Sequence, residues 1–567
     1  MIQKSRFGHY PDRPKDLTAT FVKKEYEKLV GRIKPAEESH KPDAWIKLFR
    51  DWDSLSSYVG SEAARVYYDY CKDMSNEKLE ARDRYFSEKI APVISKPNYA
   101  LSKAFLASRH RQAIADELGR QLIPLYETGI LTMNPINTKL GIKVSLLDND
   151  YSKMTAKASL EVRGDVMNLH KARSLLFSSD ESLRKEAYQA SGDWFIKNHE
   201  ELAGIFNHMV ADRNQMAKNV GLDSYTDFAY RSRGRQGYGR KEVQEFRDLV
   251  LQYLVPLNEQ VIKKQAVSLG HETLKPWNVF YNPVLTVPNG SVAVETQIKK
   301  SQALFEKVSP KLAEHFKYMS QNGLIDLETR PNKKGGAFCI DFSDEHKVAI
   351  LCNSTGDPDD IRVLTHEMGH AFQKWESNHI EISELQWGTA ELAEVYSMGM
   401  EFLSLPYMKG FFNKENSQKF AGYKWFDSVY TICYVCVVDE FQHWVYDNPG
   451  ATTSQRDEMW STIYAKYLPG IDFTGAEKYQ NVRWYGQGHV FSSPFYYIDY
   501  ALAELCAMQL GLLSEANYSK TIGTYLKMCR LGGTKSFLDA IEYGGLESPF
   551  SGTLISRIAD HAKKILI

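Results

Sequence analysis

Cysteine is scarce in this chain: seven in 567 residues, an odd number with no framework spacing. That argues against a disulfide scaffold. Cys433-Tyr-Val-Cys436 has the spacing of a redox pair, but it lies in an apolar helical stretch with no second pair nearby. Buried thiols are the better reading. Long apolar runs are missing as well. The longest, Val429 to Val438, is too short to span a bilayer and suits a buried helix segment. Charge of one sign is not in excess: 70 Lys and Arg balance 71 Asp and Glu, for a net charge of −1. Nothing electrostatic therefore calls for nucleic acid or an anionic membrane as partner. No repeat of fixed period and no low-complexity tract is present. The first residues carry charge but no following apolar run, unlike a secretory signal. The expectation is a cytoplasmic protein.

What is present is helical periodicity. Apolar positions recur at helical spacing over 20–35, 42–74, 76–92, 100–128, 240–268, 296–322, 359–376, 389–404 and 417–447, among others. The fold class expected is mainly α. Two stretches depart from it. Residues 270–295 hold Gly270, Pro276, Pro283, Pro288 and Gly290, which suits a long surface connection. Residues 337–342 and 348–353 are short and β-prone around a polar turn, which predicts a β-hairpin just before the helix at 359. A composition shift near 144–168 separates an N-terminal helical region, 1–175, from the remainder, 176–567.

His366-Glu367-Met368-Gly369-His370 is the most informative segment. Histidines four apart lie one helical turn apart on one face, as two ligands of one metal must. A glutamate beside the first can take a proton from a water activated at that metal. Asp357 and Pro358 predict the start of the helix, with Asp359 and Asp360 complementing its positive end. Ile361, Leu364, Met368, Phe372 and Trp375 form an apolar stripe opposite the histidines. Catalytic zinc takes three protein ligands. A histidine farther along the same segment does not supply the third, because Gln373 and Glu376 stand where a metzincin has Gly and His. Glu391, Glu394 and Glu401 share one face of the next helix. One of them suits a ligand and another a hydrogen-bond partner for an imidazole. Spacing alone leaves Glu391 and Glu394 open.

The motif followed by Glu394-Val395-Tyr396-Ser397 resembles the thimet oligopeptidase and oligoendopeptidase F family of zinc peptidases, most of all its bacterial oligoendopeptidase F and Pz-peptidase branch. The resemblance selects Glu394 as third ligand, with His366 and His370, to one zinc per chain. It implies Glu367 as general base. Gly488-His489 through Tyr500 resembles the family's histidine and tyrosine segment, implying that His489, Tyr497 and Tyr500 donate hydrogen bonds to the oxyanion of a tetrahedral intermediate. Tyr496 competes with Tyr497 for the second tyrosine position. An aromatic core face is the plainer reading of that cluster, since tyrosine is abundant here, at 33 residues. Lys334-Gly335-Gly336-Ala337-Phe338 resembles the family's edge strand, which pairs with substrate backbone.

The function expected is a zinc-dependent endopeptidase that cleaves short unstructured oligopeptides internally. The resemblance implies two helical lobes around a deep channel, with a small β-hairpin or sheet beside the active-site helix, and no membrane or nucleic-acid partner. The sequence does not distinguish zinc from cobalt or manganese. Two rivals remain. One is a di-iron carboxylate bundle built on Glu367-x-x-His370 and Glu440-x-x-His443. The other is a helical scaffold with structural zinc, which usually takes cysteine; only Cys339 and Cys352 lie near the motif.

Overall fold

A computed structural model describes residues 16–288 and 290–567. Helices dominate, as the periodicity predicts. The chain divides into two compact units, one formed by 1–134, 288–417 and 506–548, the other by 135–287, 418–505 and 549–567.

The first unit holds the motif helix. Its N-terminal helices, among them Ala19–Gly31, Asp43–Lys72 and Ala91–Ala107, pack an aromatic core. Phe105 meets Phe49 and Tyr126 edge to face at 5.0 and 5.3 Å, an arrangement that suits the aromatic quadrupole. The helix expected over 100–128 is broken into three, at Ser108–His110 and again at Gly119. Gly119 lies against Leu385 with φ 135°, a conformation that favours glycine. Ile382 and Leu385 belong to this same core. The loop after the motif helix is thereby anchored in N-terminal helices.

The expected hairpin is present and has a third strand. Phe338–Phe342 pairs antiparallel with Lys347–Ser354, in register Phe338 with Leu351 and Phe342 with Lys347. Ile325–Glu328 joins the other side of the central strand in parallel. That strand, Ile-Asp-Leu-Glu, alternates apolar and charged residues, but at four residues just after a helix it is too short for the alternation to stand out. Phe338–Phe342 is an edge strand. The central strand leads straight to the motif helix, Asp359–Ser377.

Asp357 does not cap that helix. Pro358 occupies the cap position and no side chain caps it. Instead the Asp360 carboxylate reaches back and accepts from the backbone N–H of Thr355 and Gly356, at 3.0 and 2.8 Å. The loop is fixed from within the first turn.

The second unit contains Thr138–Ala156, Glu181–Lys197, His199–Asn219 and Arg240–Ser268. A small hairpin, Leu160–Val162 with Asp165–Met167, turns through Arg163 and Gly164, both at positive φ. Residues 270–287 are irregular but not a surface connection, contrary to expectation: Trp277, Asn278, Val279 and Val287 are buried. The irregular backbone is satisfied by side chains. Gln265 donates to the carbonyls of Asn278 and Tyr281, each at 2.9 Å, and Arg184 grips the Asn278 side chain. No helix among the described residues is long and apolar enough to cross a membrane.

Candidate metal centre and hydrogen-bond donors

The apolar stripe of the motif helix is buried at Ile361, Leu364, Met368 and Phe372. The opposite face presents His366 and His370, whose rings lie 5.1 Å apart. The helix Ala390–Ser404 crosses close beside it, and Gly369 makes this approach possible. A Cβ on Gly369 would stand 2.6 Å from the Cα of Ser397, inside any real contact distance. The metal motif leaves this position unspecified, so its spacing does not mark the glycine.

Close packing brings Glu394 to the histidines. Its Oε2 is 3.4 Å from Nε2 of His366 and 3.9 Å from Nε2 of His370. The three ligand atoms lie within 4.8 Å of one another, and among the described residues this is the group able to hold a metal ion. Glu401, two turns on, takes the other nitrogen of His366: Nδ1 donates to Oε1 at 2.7 Å. His366 is thus oriented through one nitrogen while the other faces the carboxylate, the arrangement typical of metal-binding histidine. Glu391 is buried on the same helix but is not in the cluster. The structure therefore brings together Glu394 and Glu401, not Glu391, at the histidine pair.

The electrostatics fit a cation. Burial alone would lower the His366 pKa, but hydrogen bonds to Glu394 and Glu401 overcome it and raise it to about 10. Burial would raise Glu394, yet His366 and His370 hold it near 2. Burial lowers His370 to about 4. Without an ion, a proton on His366 takes the place of the missing positive charge. The donor set of two imidazoles and one carboxylate suits zinc. Glu367 is 7% exposed, and burial pushes its pKa up to about 7.

The second unit gathers the other expected residues. His489 lies in the short helix Gly488–Ser492, and Tyr497 opens the next helix, which breaks at Asn517. The His489 ring is 4.7 Å from Tyr497, 6.0 Å from Tyr500 and 6.1 Å from Tyr496. All three tyrosines remain beside the histidine, so the structure does not choose between Tyr496 and Tyr497. The turn between histidine and tyrosines is braced. Phe495 is buried at φ 61°, a conformation rare for a bulky residue. Gln442 accepts from its N–H at 2.7 Å, and Arg235 holds its carbonyl. Arg235 also pairs with Asp499 at 2.6 Å, both fully buried. Arg233 donates to the Pro494 carbonyl at 3.1 Å. These arginines come from a distant loop, and nothing local in the sequence announced them.

The di-iron rival does not survive. Glu440 is occupied by Lys466 at 2.8 Å and by the Tyr467 hydroxyl at 2.5 Å. His443 is held by Tyr230, Arg247 and Asp439. Arginine and lysine neutralise the carboxylates where that rival needs iron. Cys433 and Cys436 are buried thiols, pushed well above the usual thiol range by burial.

Comparison with known proteins agrees with this geometry. A model described as peptidase family M3 matches residues 174–560, and one described as the peptidase M3 N-terminal domain matches 15–133. The solved structure of Pz peptidase A with an inhibitor is 29% identical, with a TM-score of 0.90, and 98% of each chain is covered. A Bacillus anthracis structure provisionally named oligoendopeptidase F is 27% identical, with a TM-score of 0.85 over 99% of this chain and 98% of its own. Group B oligopeptidase PepB of Streptococcus agalactiae is 26% identical over 198 residues, which span 35% of this chain and 32% of that protein.

Proposed function

The chain belongs to peptidase family M3, a family of metallopeptidases, and on that premise we propose that it is a zinc endopeptidase cleaving short oligopeptides internally. The observation that carries the proposal is the convergence of His366, His370 and Glu394 with Glu367 in the same helical turn. His366, His370 and Glu394 would hold the zinc. When bound, the ion supplies a Lewis acid that polarises the scissile carbonyl and makes water a nucleophile near neutral pH.

The chain's own residues do the rest. Glu401 holds the His366 imidazole through Nδ1 and leaves its Nε2 facing Glu394. Glu367 accepts the proton of the attacking water and returns it to the leaving amine. Burial beside the cluster favours proton uptake by this carboxylate, which suits both transfers. His489, Tyr497 and Tyr500 are assigned as donors to the oxyanion, on the resemblance of their segment and their mutual contacts. Neutral donors are required. Burial, with the charge of Arg233, pushes the His489 pKa down, and burial lifts Tyr497 to about 12.

Short peptides are the proposed substrates because the relatives named above are oligopeptidases. A series of quenched fluorescent peptides of increasing length tests this. Activity should peak on short unstructured peptides, and efficient cleavage of a folded domain would refute the substrate class.

A further inference from the structure

Gln487 stands at the centre of a polar hub in the second unit. Its backbone is held on both sides: its N–H donates to the Trp484 carbonyl and its carbonyl accepts from Val490, each at 3.0 Å. The carboxamide is thereby set among three side chains. Its Oε1 lies 3.0 Å from the Tyr434 hydroxyl. Its Nε2 lies 2.9 Å from Nδ1 of His489. The Tyr497 ring stands beside both, 6.2 Å from Tyr434 and 4.7 Å from His489.

A carboxamide offers one acceptor oxygen and two N–H donors. Tyr434 gives its proton to Oε1, which leaves an N–H of the carboxamide for Nδ1 of His489. An Nδ1 that accepts is unprotonated, so a neutral His489 carries its proton on Nε2.

We propose that Gln487 is a positioning residue that fixes His489 as the Nε2–H tautomer. The inference rests on reading His489 as an oxyanion donor. The groups around the imidazole are consistent with a neutral ring: Tyr496, Tyr497 and Tyr500 beside it, and the Arg233 charge nearby, which disfavours a second cation. A reversed carboxamide would have the opposite effect. Its oxygen would accept from Nδ1–H, and Nε2 would present a lone pair that repels an oxyanion.

The test uses the full-length zinc-loaded enzyme with ring-15N histidine, whose two-bond 15N–1H spectrum separates the tautomers. The His489 signal is identified by its loss in His489→Phe. Wild-type His489 should be protonated at Nε2. Gln487→Glu, whose carboxylate can only accept, should move the proton to Nδ1 and raise the His489 pKa. It should also lower kcat by about 10²-fold, the size of losing one oxyanion donor, with KM within about twofold. Gln487→Leu should leave a mixture of tautomers and an intermediate kcat, and serves if the glutamate variant folds poorly. A wild-type His489 protonated at Nδ1, in an enzyme that His489→Phe does cripple, would overturn the role of Gln487 alone. An unchanged kcat in His489→Phe would instead remove the oxyanion reading beneath it.

Discussion

Replacing Glu401 with leucine should weaken zinc binding without removing a ligand. Glu401 is not one of the three clustered ligands; it accepts from Nδ1 of His366 at 2.7 Å and is 3% exposed. A hydrogen bond to a charged group contributes about 1.5–3 kcal/mol. At 1.4 kcal/mol per factor of ten, that converts to about a 10–100-fold loss of affinity. The same range is usual for losing the outer partner of a metal-binding histidine. Leucine fills similar space, so the loss reflects tautomer and orientation rather than a cavity. Zinc affinity would be measured by competition with a chromogenic chelator, alongside a melting curve of the metal-free protein. Glu391→Gln is the matched control, on the same buried helix but outside the cluster. It should bind zinc like wild type. Equal affinities for wild type and Glu401→Leu, or a larger loss in Glu391→Gln, would refute the reasoning.

The metal-free cluster carries a proton on His366, whose pKa is about 10, while Glu394 near 2 is ionised and His370 near 4 is neutral. Zinc binding at pH 7.5 should therefore release about one proton or slightly more per ion, measured by calorimetry in buffers of different ionisation enthalpy; no release would contradict the assignment. The raised His366 pKa also gives metal-free protein a stability contribution that is full below the unfolded histidine pKa of about 6.5 and lost as pH rises through about 10. Chelated enzyme should thus melt at progressively lower temperature between about pH 7 and 10, and a flat profile would count against it. Gly369→Ala should separate the two site helices, because the added Cβ meets backbone that cannot rotate away. A loss of at least about 1–3 kcal/mol is expected in urea denaturation, with weaker zinc binding in whatever folds. A stable variant with normal affinity would show that the approach is not needed.

The histidine pair was legible because a metal motif is local: both ligands and the base lie in one helical turn. The third ligand was not legible from spacing. Glu391, Glu394 and Glu401 all face one way on their helix, and only the crossing at Gly369 decides which meets the histidines. Glu440-x-x-His443 shows the converse. Its spacing is that of a metal ligand pair, but Lys466 and Arg247, distant in sequence, occupy it. Most helices followed their apolar period, and Arg240–Ser268 agrees to the residue. Periodicity failed where its run was too short or interrupted: in the four-residue strand Ile325–Glu328, at the breaks around Ser108 and Gly119, and over 270–287, where buried backbone is satisfied by Gln265 and Arg184. Gln487 was invisible for a related reason, since a glutamine gains its role from the groups it meets.

The most direct measurement is zinc content and peptide cleavage taken together on wild type and Glu367→Gln. The amide keeps the shape of the side chain and removes the base. The variant should bind one zinc per chain and melt like wild type, with kcat lower by about 10²–10⁴-fold, the contribution of a general base. A variant that keeps its zinc and cleaves at the wild-type rate would contradict the mechanism.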